Sequence, residues 1–393
     1  MKKLNGWQMA LIVGAIFLVS INLRPAVTSV GPLLNTIQED LGISSTMMSL
    51  LTSVPVFCMG LFAPLAVPFN KALGYKWSVN LLLIGIGIAT GARLFFTSFT
   101  ALIITSFVAG LCIAIISPML NAYIKEKFAD NMGPVIGIYS LAMGCGAMIS
   151  SGFTGVFYER FQNSWPAALS IWGVLAFIAI IVWSMAIPEK RPQETKVTMD
   201  ETGRNPWKLK TTWIIMLFFG IQTSLFFSLT TWLAPIAMEQ GMGLVVAGSV
   251  ITAMSIVQMI GNIIIPSLLN KFGTVSLWLK ALTVIGAIGT AFLFIDAQWS
   301  VWVAAVILGV ALSGLFPIGL LLPLQEAKND AEANSFSSMV LSGGFMMSAI
   351  VPLLIGIVYD AVGTHFISKW LLVILCVLMF GSIMMYESNK RHV

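Results

Sequence analysis

The sequence has few charged residues. Aspartate, glutamate, lysine and arginine make up 9% of its 393 residues, against 58% for the hydrophobic types, whereas soluble domains carry about 25% charge. A water-soluble fold of this length cannot cover its surface with so few ionisable groups. This composition and a mean hydropathy of +0.93 predict that the lipid bilayer is the solvent for most of the surface.

Histidine, cysteine and buried acids are also scarce. The two histidines are His365 and His392, and the four cysteines lie singly in apolar stretches without a C-x-x-C pair. Isolated cysteines of this kind are typical of small packed residues rather than redox or metal-binding groups. All sixteen aspartates and glutamates can be placed outside the apolar stretches. We therefore expect no metal site, no cofactor, no buried carboxylate relay for protons and no enzyme.

Long apolar segments recur along the whole chain. Crossing ~30 Å of hydrocarbon takes about 20 apolar residues in a helix. On that measure we count twelve segments and number them span 1 to span 12: 7–34, 46–69, 76–97, 100–123, 132–157, 164–187, 211–236, 244–268, 274–295, 299–323, 333–358 and 365–386. The fold prediction is an all-α membrane protein with twelve transmembrane helices.

The twelve spans divide into two halves around a polar segment. Residues 188–210 are dense in charge and contain proline and glycine, which indicates a cytosolic linker. We call residues 1–187 the N half and residues 211–393 the C half. Matched residues recur 199 to 201 positions later, as in the pairs Gly110 and Gly309, Pro118 and Pro317, Gly155 and Gly356, and Tyr158 and Tyr359. The repeat predicts two pseudo-symmetric six-helix bundles.

The basic residues predict the orientation in the membrane. With the N-terminus in the cytosol, sixteen of the twenty-one lysines and arginines lie on the cytosolic side and only Arg160 and Lys369 on the outer side. The positive-inside rule therefore predicts a multi-pass protein of the plasma membrane with both termini in the cytosol. Because the basic residues are scattered singly, the net charge of +5 does not indicate binding of nucleic acid. We expect a monomer whose partners are lipid and a small solute.

Arg24 is the strongest candidate for a binding residue. It stands in the apolar run of span 1 directly before Pro25, where a charge costs roughly 3 kcal/mol unless it faces a wet cavity or a partner. Thr28 shares its helix face, and Pro25 loosens the turn by removing a backbone hydrogen bond. Because the charges inside the spans are all cationic, we expect a small anion or an electron-rich polar solute there. The alternative is an arginine that bonds helix-end carbonyls and locks helix packing.

Two other basic residues lie within spans. Arg93 is near the outer end of span 3, where an arginine can snorkel to the headgroups or anchor helix packing. Lys280 lies two turns inside span 9 and can snorkel to the cytosolic face. A functional role for either residue is left open.

Polar and aromatic residues on four other spans complete the predicted pocket. An amide among aromatic side chains on span 7 suits a small planar ligand, and hydroxyls on spans 4 and 5 are candidates for hydrogen bonds between helices. For each aromatic residue, packing in the core is the alternative. The candidates are Ser117 on span 4, Tyr139 on span 5, Gln222, Phe226 and Trp232 on span 7, and Phe316 on span 10.

Several runs of sequence resemble a known family. Over the whole chain the architecture is similar to that of the major facilitator superfamily. Four runs resemble its cyanate permease branch, which also includes a nitroimidazole transporter: NLRPAVTSVGPLL in span 1, LLTSVP in span 2, IYSLAMG in span 5 and FPIGLLLPLQ in span 10. The resemblance implies that Arg24, Arg93, Tyr139, Phe226, Trp232 and Phe316 occupy family positions, and that Ser117 matches a position that is polar in relatives.

The residues and the resemblance together predict a secondary transporter. It would move a small anionic or polar planar solute by alternating access, through a mid-membrane cavity lined by spans 1, 4, 7 and 10. The first alternative is a multidrug or small-molecule efflux antiporter, although the G-x-x-x-G-P run typical of span 5 in antiporters is missing. A membrane-embedded enzyme and a signalling receptor or scaffold are the other classes considered.

Overall fold

A computed structural model describes residues 6–128, 132–188, 204–269 and 274–391. Within these residues the regular structure consists of α-helices and short 3-10 turns, with no strand. Eleven helices of the described chain are long and apolar enough to cross a membrane, and Ser45–Leu61 is a shorter apolar helix. Together they account for the twelve predicted spans, so the predicted fold class is confirmed.

The helices of the N half follow the predicted order. Span 1 is made of Gly6–Ile21, Pro25–Thr28, the 3-10 turn Gly31–Leu33 and Leu34–Leu41. Span 2 is Ser45–Leu61, and after the 3-10 turn Ala63–Leu65 the helix Ala66–Ala92 contains span 3. Span 4 is Phe99–Lys127, span 5 is Met132–Arg160, and span 6 is made of Trp165–Ser170, the 3-10 turn Ile171–Gly173 and Val174–Ala186.

The C half has the same number of spans. Span 7 is Lys210–Glu239, span 8 is Leu244–Leu269, span 9 is Val275–Phe292 and span 10 is Gln298–Glu326. Span 11 is divided into Asp330–Ser348 and Ile350–Val362, and span 12 is Phe366–Arg391. Most of the predicted linker falls on residues 189–203, outside the described residues, so its boundaries stay a prediction.

Two helix ends differ from the prediction because of backbone chemistry. Span 2 was expected to continue to residue 69, but its helix ends at Leu61. Pro64 falls in the 3-10 turn that follows, where a residue without an amide hydrogen cannot continue the helical hydrogen bonds. The helix Ala66–Ala92 then bends at Gly74, whose φ of 71° and ψ of 169° are accessible to glycine and strained for other residues. This bend, rather than a loop, separates the end of predicted span 2 from span 3.

Helix packing repeats between the halves. In the N half span 1 packs on spans 5 and 6, span 2 on span 4, and span 3 on spans 4 and 6. The C half has the equivalent pairs: span 7 packs on spans 11 and 12, span 8 on span 10, and span 9 on spans 10 and 12. The paired glycines agree: Gly110 of span 4 lies against Pro55 of span 2, and Gly309 of span 10 lies against Met254 of span 8. The internal repeat in the sequence thus corresponds to a repeat in the packing.

The halves contact each other where spans 1, 7 and 11 end and spans 2 and 8 begin, which the charges predict to be the outer side. They also touch deeper, where Gly60 of span 2 lies against Ser342 of span 11. One hydrophobic core runs through the C half and continues into Val30, Leu34 and Met48 of the N half, whereas the rest of the N half has a core of its own. Gly356 of span 11 lies against the Ser45 carbonyl, and its counterpart Gly155 faces Val245 in the opposite half.

Gly31 gives a direct test of this contact between the halves. A Cβ at Gly31 would lie 2.4 Å from the Thr230 carbonyl oxygen of span 7. We therefore expect Gly31→Ala to separate spans 1 and 7 and to lower the free energy of unfolding by about 1–3 kcal/mol. Gly14→Ala on the same span is the matched control, because nothing lies within 4 Å of its Cβ. Equal midpoints of thermal unfolding for the two variants would contradict the close contact.

Candidate functional site

The helix of span 1 breaks where Arg24 stands. The first helix ends at Ile21, and Pro25 begins the next short helix. Pro25 has no amide hydrogen, so the Ile21 carbonyl loses the donor that a continuous helix would provide. Gly146 of span 5 packs so closely here that a Cβ would lie 2.3 Å from that carbonyl oxygen. The predicted loosening of the turn before Pro25 is thus a full interruption of the helix.

Thr28 supports the backbone of Arg24. Its hydroxyl lies 3.0 Å from the Arg24 carbonyl oxygen and 2.6 Å from the hydroxyl of Ser150 on span 5. The residue is 2% exposed. The structure therefore places Thr28 between spans 1 and 5, and a role for its side chain in binding stays a prediction.

The Arg24 side chain lies between the halves. It is partly exposed, and its guanidinium carbon is 5.4 Å from the ring centre of Phe226 and 5.8 Å from that of Phe227. These distances allow cation–π attraction. In the part of the chain that the structure describes, the ion pairs join other residues, and no carboxylate pairs with Arg24. A positive charge without a counter-ion therefore bridges span 1 and span 7.

Hydroxyl groups of the N half lie beside this charge. Tyr139 of span 5 lies near Arg24 and near the Ser117 hydroxyl of span 4, close enough for an electrostatic influence of each on its own hydroxyl. The Ser117 hydroxyl also donates to the Ile113 carbonyl at 3.1 Å. The structure thus brings together three predicted site residues of the N half, which are Arg24, Ser117 and Tyr139.

Aromatic rings of the C half form a continuous series that starts at Arg24. The ring centres are 5.2 Å apart for Phe226 and Phe227, 6.5 Å for Phe227 and Phe345, 5.6 Å for Phe345 and Phe219, and 5.8 Å for Phe219 and Phe316. Phe226, Phe316 and Phe345 are each partly exposed. Spans 7, 10 and 11 therefore provide an apolar wall that begins beside Arg24.

Two residues of this wall were not predicted from the sequence. Phe227 was passed over because it is not on the helix face of Phe226, although both rings reach the guanidinium of Arg24. Phe345 was missed because span 11 was not assigned to the cavity. The internal repeat could have indicated it, since span 11 is the counterpart of span 5, which supplies Tyr139.

Gln222 and Trp232 are buried among other side chains. The Gln222 amide nitrogen donates to the Thr223 hydroxyl at 2.8 Å, and the residue is fully buried. The Trp232 indole donates to the Pro352 carbonyl at 3.0 Å, and its ring centre is 5.4 Å from that of His365. Trp232 is 1% exposed. The structure places Trp232 in a separate cluster from the residues around Arg24, and a role for either side chain in binding stays a prediction.

The expectation that Arg93 can snorkel to the headgroups is wrong. Its side chain is 1% exposed and bonds the Ala26 carbonyl, Ser106 and Thr105. Hydroxyl and carbonyl acceptors inside the protein therefore replace the headgroups. Packing was the other expectation for Arg93, and these contacts agree with it.

Lys280 and the end of the linker take part in ion pairs. The Lys280 ammonium lies 2.6 Å from a carboxylate oxygen of Glu387 on span 12. Arg204, in the described end of the predicted linker, bonds both carboxylate oxygens of Glu332 at 2.9 and 2.8 Å. The hydrogen bonds from Arg204 to Glu332 raise the pKa of Arg204 above its ordinary value. These pairs hold the predicted cytosolic face of the C half together and neutralise charges there.

Three curated bacterial proteins are similar to the chain. An uncharacterized transporter, YycB of Bacillus subtilis (strain 168), is 28% identical over 357 residues, covering 89% of this chain and 86% of that protein. The cyanate transport protein CynX of Escherichia coli (strain K12) is 26% identical, covering 92% of both chains. A 2-nitroimidazole transporter of the same strain is also 26% identical, covering 96% of this chain and 95% of that one.

The fold agrees with that of solved transporters. A bacterial homologue of the human lysosomal transporter Spinster, in an inward-facing and occupied conformation, superposes with a TM-score of 0.77 over 98% of both chains at 16% identity. The model of the Major Facilitator Superfamily matches residues 9–352, so the family that the sequence resembles is confirmed. This multi-pass membrane protein of twelve spans belongs to the Major Facilitator Superfamily of transporters.

Proposed function

We propose that the chain is a secondary transporter that moves a small anionic or polar planar solute across the plasma membrane by alternating access. The solute binds at Arg24, between the hydroxyl groups of Ser117 and Tyr139 and the rings of Phe226, Phe227 and Phe316. Both termini face the cytosol, and the monomer is the working unit. Residues 188–210 are the cytosolic linker between the two six-helix halves.

The unpaired guanidinium of Arg24 is the observation that carries this proposal. A buried or half-buried cation without a counter-ion attracts an anion, and a guanidinium offers several donors in one plane. The neighbouring rings favour flat ligands, because an aromatic face packs well on a planar group. Hydroxyl groups nearby can orient a polar substituent by hydrogen bonds.

Two relatives support a solute of this kind. One is a cyanate transport protein and the other a 2-nitroimidazole transporter. Cyanate is a small anion, and 2-nitroimidazole is a flat ring with an electron-rich nitro group. A site with one guanidinium, two hydroxyl groups and several aromatic faces has the chemistry to take either class.

A binding screen followed by a transport assay tests the proposal. The purified full chain is unfolded thermally with cyanate, 2-nitroimidazole or other small anions and nitroaromatics. A ligand at ~100 times its dissociation constant adds about 2.7 kcal/mol to the free energy of unfolding. Compounds that stabilise the protein are then assayed by counterflow in reconstituted vesicles. We expect stabilisation and counterflow for at least one anion or nitroaromatic, and failure of all of them would contradict the proposal.

An organic cation in the same screen tests the efflux alternative. The uncompensated charge of Arg24 repels cations, so we expect a quaternary ammonium compound to give no stabilisation. If the cation stabilised the protein and every anion failed, the function would be that of an efflux antiporter instead.

A further inference from the structure

Arg93 of span 3 carries a second positive charge that is shielded from solvent. It is 1% exposed, and none of the ion pairs among the described residues includes it. Burying a charge costs several kcal/mol unless hydrogen bonds offset the loss of water. The atoms that Arg93 contacts therefore show which parts of the fold this buried arginine stabilises.

Each of its nitrogen atoms donates to an oxygen on another span. Nη1 lies 3.2 Å from the Ala26 carbonyl oxygen of span 1. On span 4, Nη2 lies 3.1 Å from the Ser106 hydroxyl and Nε lies 3.4 Å from the Thr105 hydroxyl. The rigid guanidinium thus fixes the position of span 1 relative to span 4, the span that carries Ser117.

The Ala26 carbonyl lacks its usual helical donor. In a continuous helix the amide of Val30 would bond it, but that amide bonds the Val27 carbonyl at 3.4 Å instead. The interruption of span 1 therefore leaves a buried acceptor two residues after Arg24. A buried carbonyl without a donor is destabilising, and the Nη1 atom of Arg93 provides that donor.

We propose that Arg93 is a positioning residue for the substrate site: its bond to the Ala26 carbonyl holds the interrupted segment of span 1 in the conformation that directs Arg24 toward span 7 of the C half. Arg93 itself is buried and does not contact solute. This inference rests on the proposed function only for its effect on substrate, since the position of the segment can be measured without a ligand.

The first arm of the test measures position. A thiol is introduced by Arg24→Cys in a chain whose four native cysteines are replaced by alanine. Its rate of reaction with a charged thiol reagent is compared with and without Arg93→Gln. We expect a change of about tenfold or more, the equivalent of one hydrogen bond from a charged donor. An unchanged rate overturns the proposal, including the case in which Arg93→Gln merely lowers the unfolding midpoint.

The second arm measures binding of cyanate and 2-nitroimidazole with Arg24 in place. We expect Arg93→Gln to weaken the stabilising ligand about tenfold, and Arg93→Lys to restore part of the affinity because its ammonium can still reach one acceptor. Unaltered affinity in Arg93→Gln overturns the proposal. If neither compound binds the unmodified chain while the thiol rate changes, the positioning role stands and the proposed function fails.

A second variant keeps the test decisive if Arg93→Gln does not fold. Thr105→Val combined with Ser106→Ala removes the span 4 acceptors and leaves Arg93 and the Ala26 carbonyl intact. We expect the rate of thiol modification to change about threefold, which is less than with Arg93→Gln and in the same direction as that change. The same rate as in the parent chain overturns the proposal.

Discussion

Arg24→Ala is expected to abolish the stabilisation of the protein by its substrate while the substrate-free protein still folds and inserts. An anion in the site would lose its partner and stay desolvated, which costs 2–5 kcal/mol for a buried pair, or about 30- to 4,000-fold in affinity. The fold survives because no carboxylate among the described residues is paired with Arg24. Arg24→Lys should keep part of the affinity, since it retains the charge without the planar donors.

Expression level, unfolding midpoint and ligand-induced shift are measured side by side for these variants. Arg160→Ala is the matched control, because it removes an arginine from an exposed position at the end of span 5. If Arg24 serves packing instead, Arg24→Ala will express poorly and the surviving protein will bind normally. A well-folded Arg24→Ala protein with undiminished affinity would remove Arg24 from the site.

Asp360→Asn is expected to shift the protein toward a state in which the predicted outer side is open. The Asp360 carboxylate, at the end of span 11, accepts from the backbone amides of Ser45 and Thr46 at 2.7 and 2.8 Å. It also accepts from the Thr46 hydroxyl at 2.5 Å. A negative charge at the start of the Ser45–Leu61 helix is favoured by the helix dipole. The carboxylate thus links the two halves.

Asparagine keeps one of the two acceptor oxygens and loses the charge. Because Asp360 is exposed, solvent screening limits the loss to about 1 kcal/mol, which is a population change of about fivefold. Distances between spin labels on the outer ends of spans 2 and 11 measure that population. Glu159→Gln is the matched control, because Glu159 occupies the repeat position 201 residues earlier. An equal effect of both variants would show that general surface charge, rather than this link, controls the opening.

The fold could be predicted from the sequence because the length of each apolar run can be read without knowing which other segments it packs against. Each apolar run of about 20 residues demands a helix in the bilayer, whatever its neighbours are. The ends of helices were less predictable. The apolar run of span 2 continues past Leu61, so hydropathy could not show that Pro64 stops the helix there. The hydropathy pattern also could not show that the chain bends at Gly74 within a continuous helix instead of forming a loop.

The candidate site was predictable only in part, because it depends on packing between the halves. Arg24 was recognisable as a charge in an apolar run. Helical spacing put Gln222 and Phe226 on one face, but it could not distinguish a face that meets a cavity from one that meets a neighbouring helix. Gln222 is buried, whereas Phe227, off that face, reaches Arg24. Which face of span 7 meets Arg24 depends on the rotation of span 7 relative to span 1. That rotation is set by packing between residues about 200 positions apart in the sequence.

The bond between Arg93 and the Ala26 carbonyl also sets an order for assembly during synthesis. The two residues are 67 positions apart, so at ribosomal rates of about 5–20 residues per second Arg93 is made about 3–13 s after Ala26. During that interval the newly synthesised span 1 contains the charged side chain of Arg24 and an unpaired carbonyl at Ala26, and both groups are costly in lipid. Arg93 of span 3 later supplies the donor to that carbonyl, whereas Arg24 meets its aromatic neighbours only when span 7 has been made. Span 1 is made before the other spans of the N half, yet it is among the last of them to reach its final conformation.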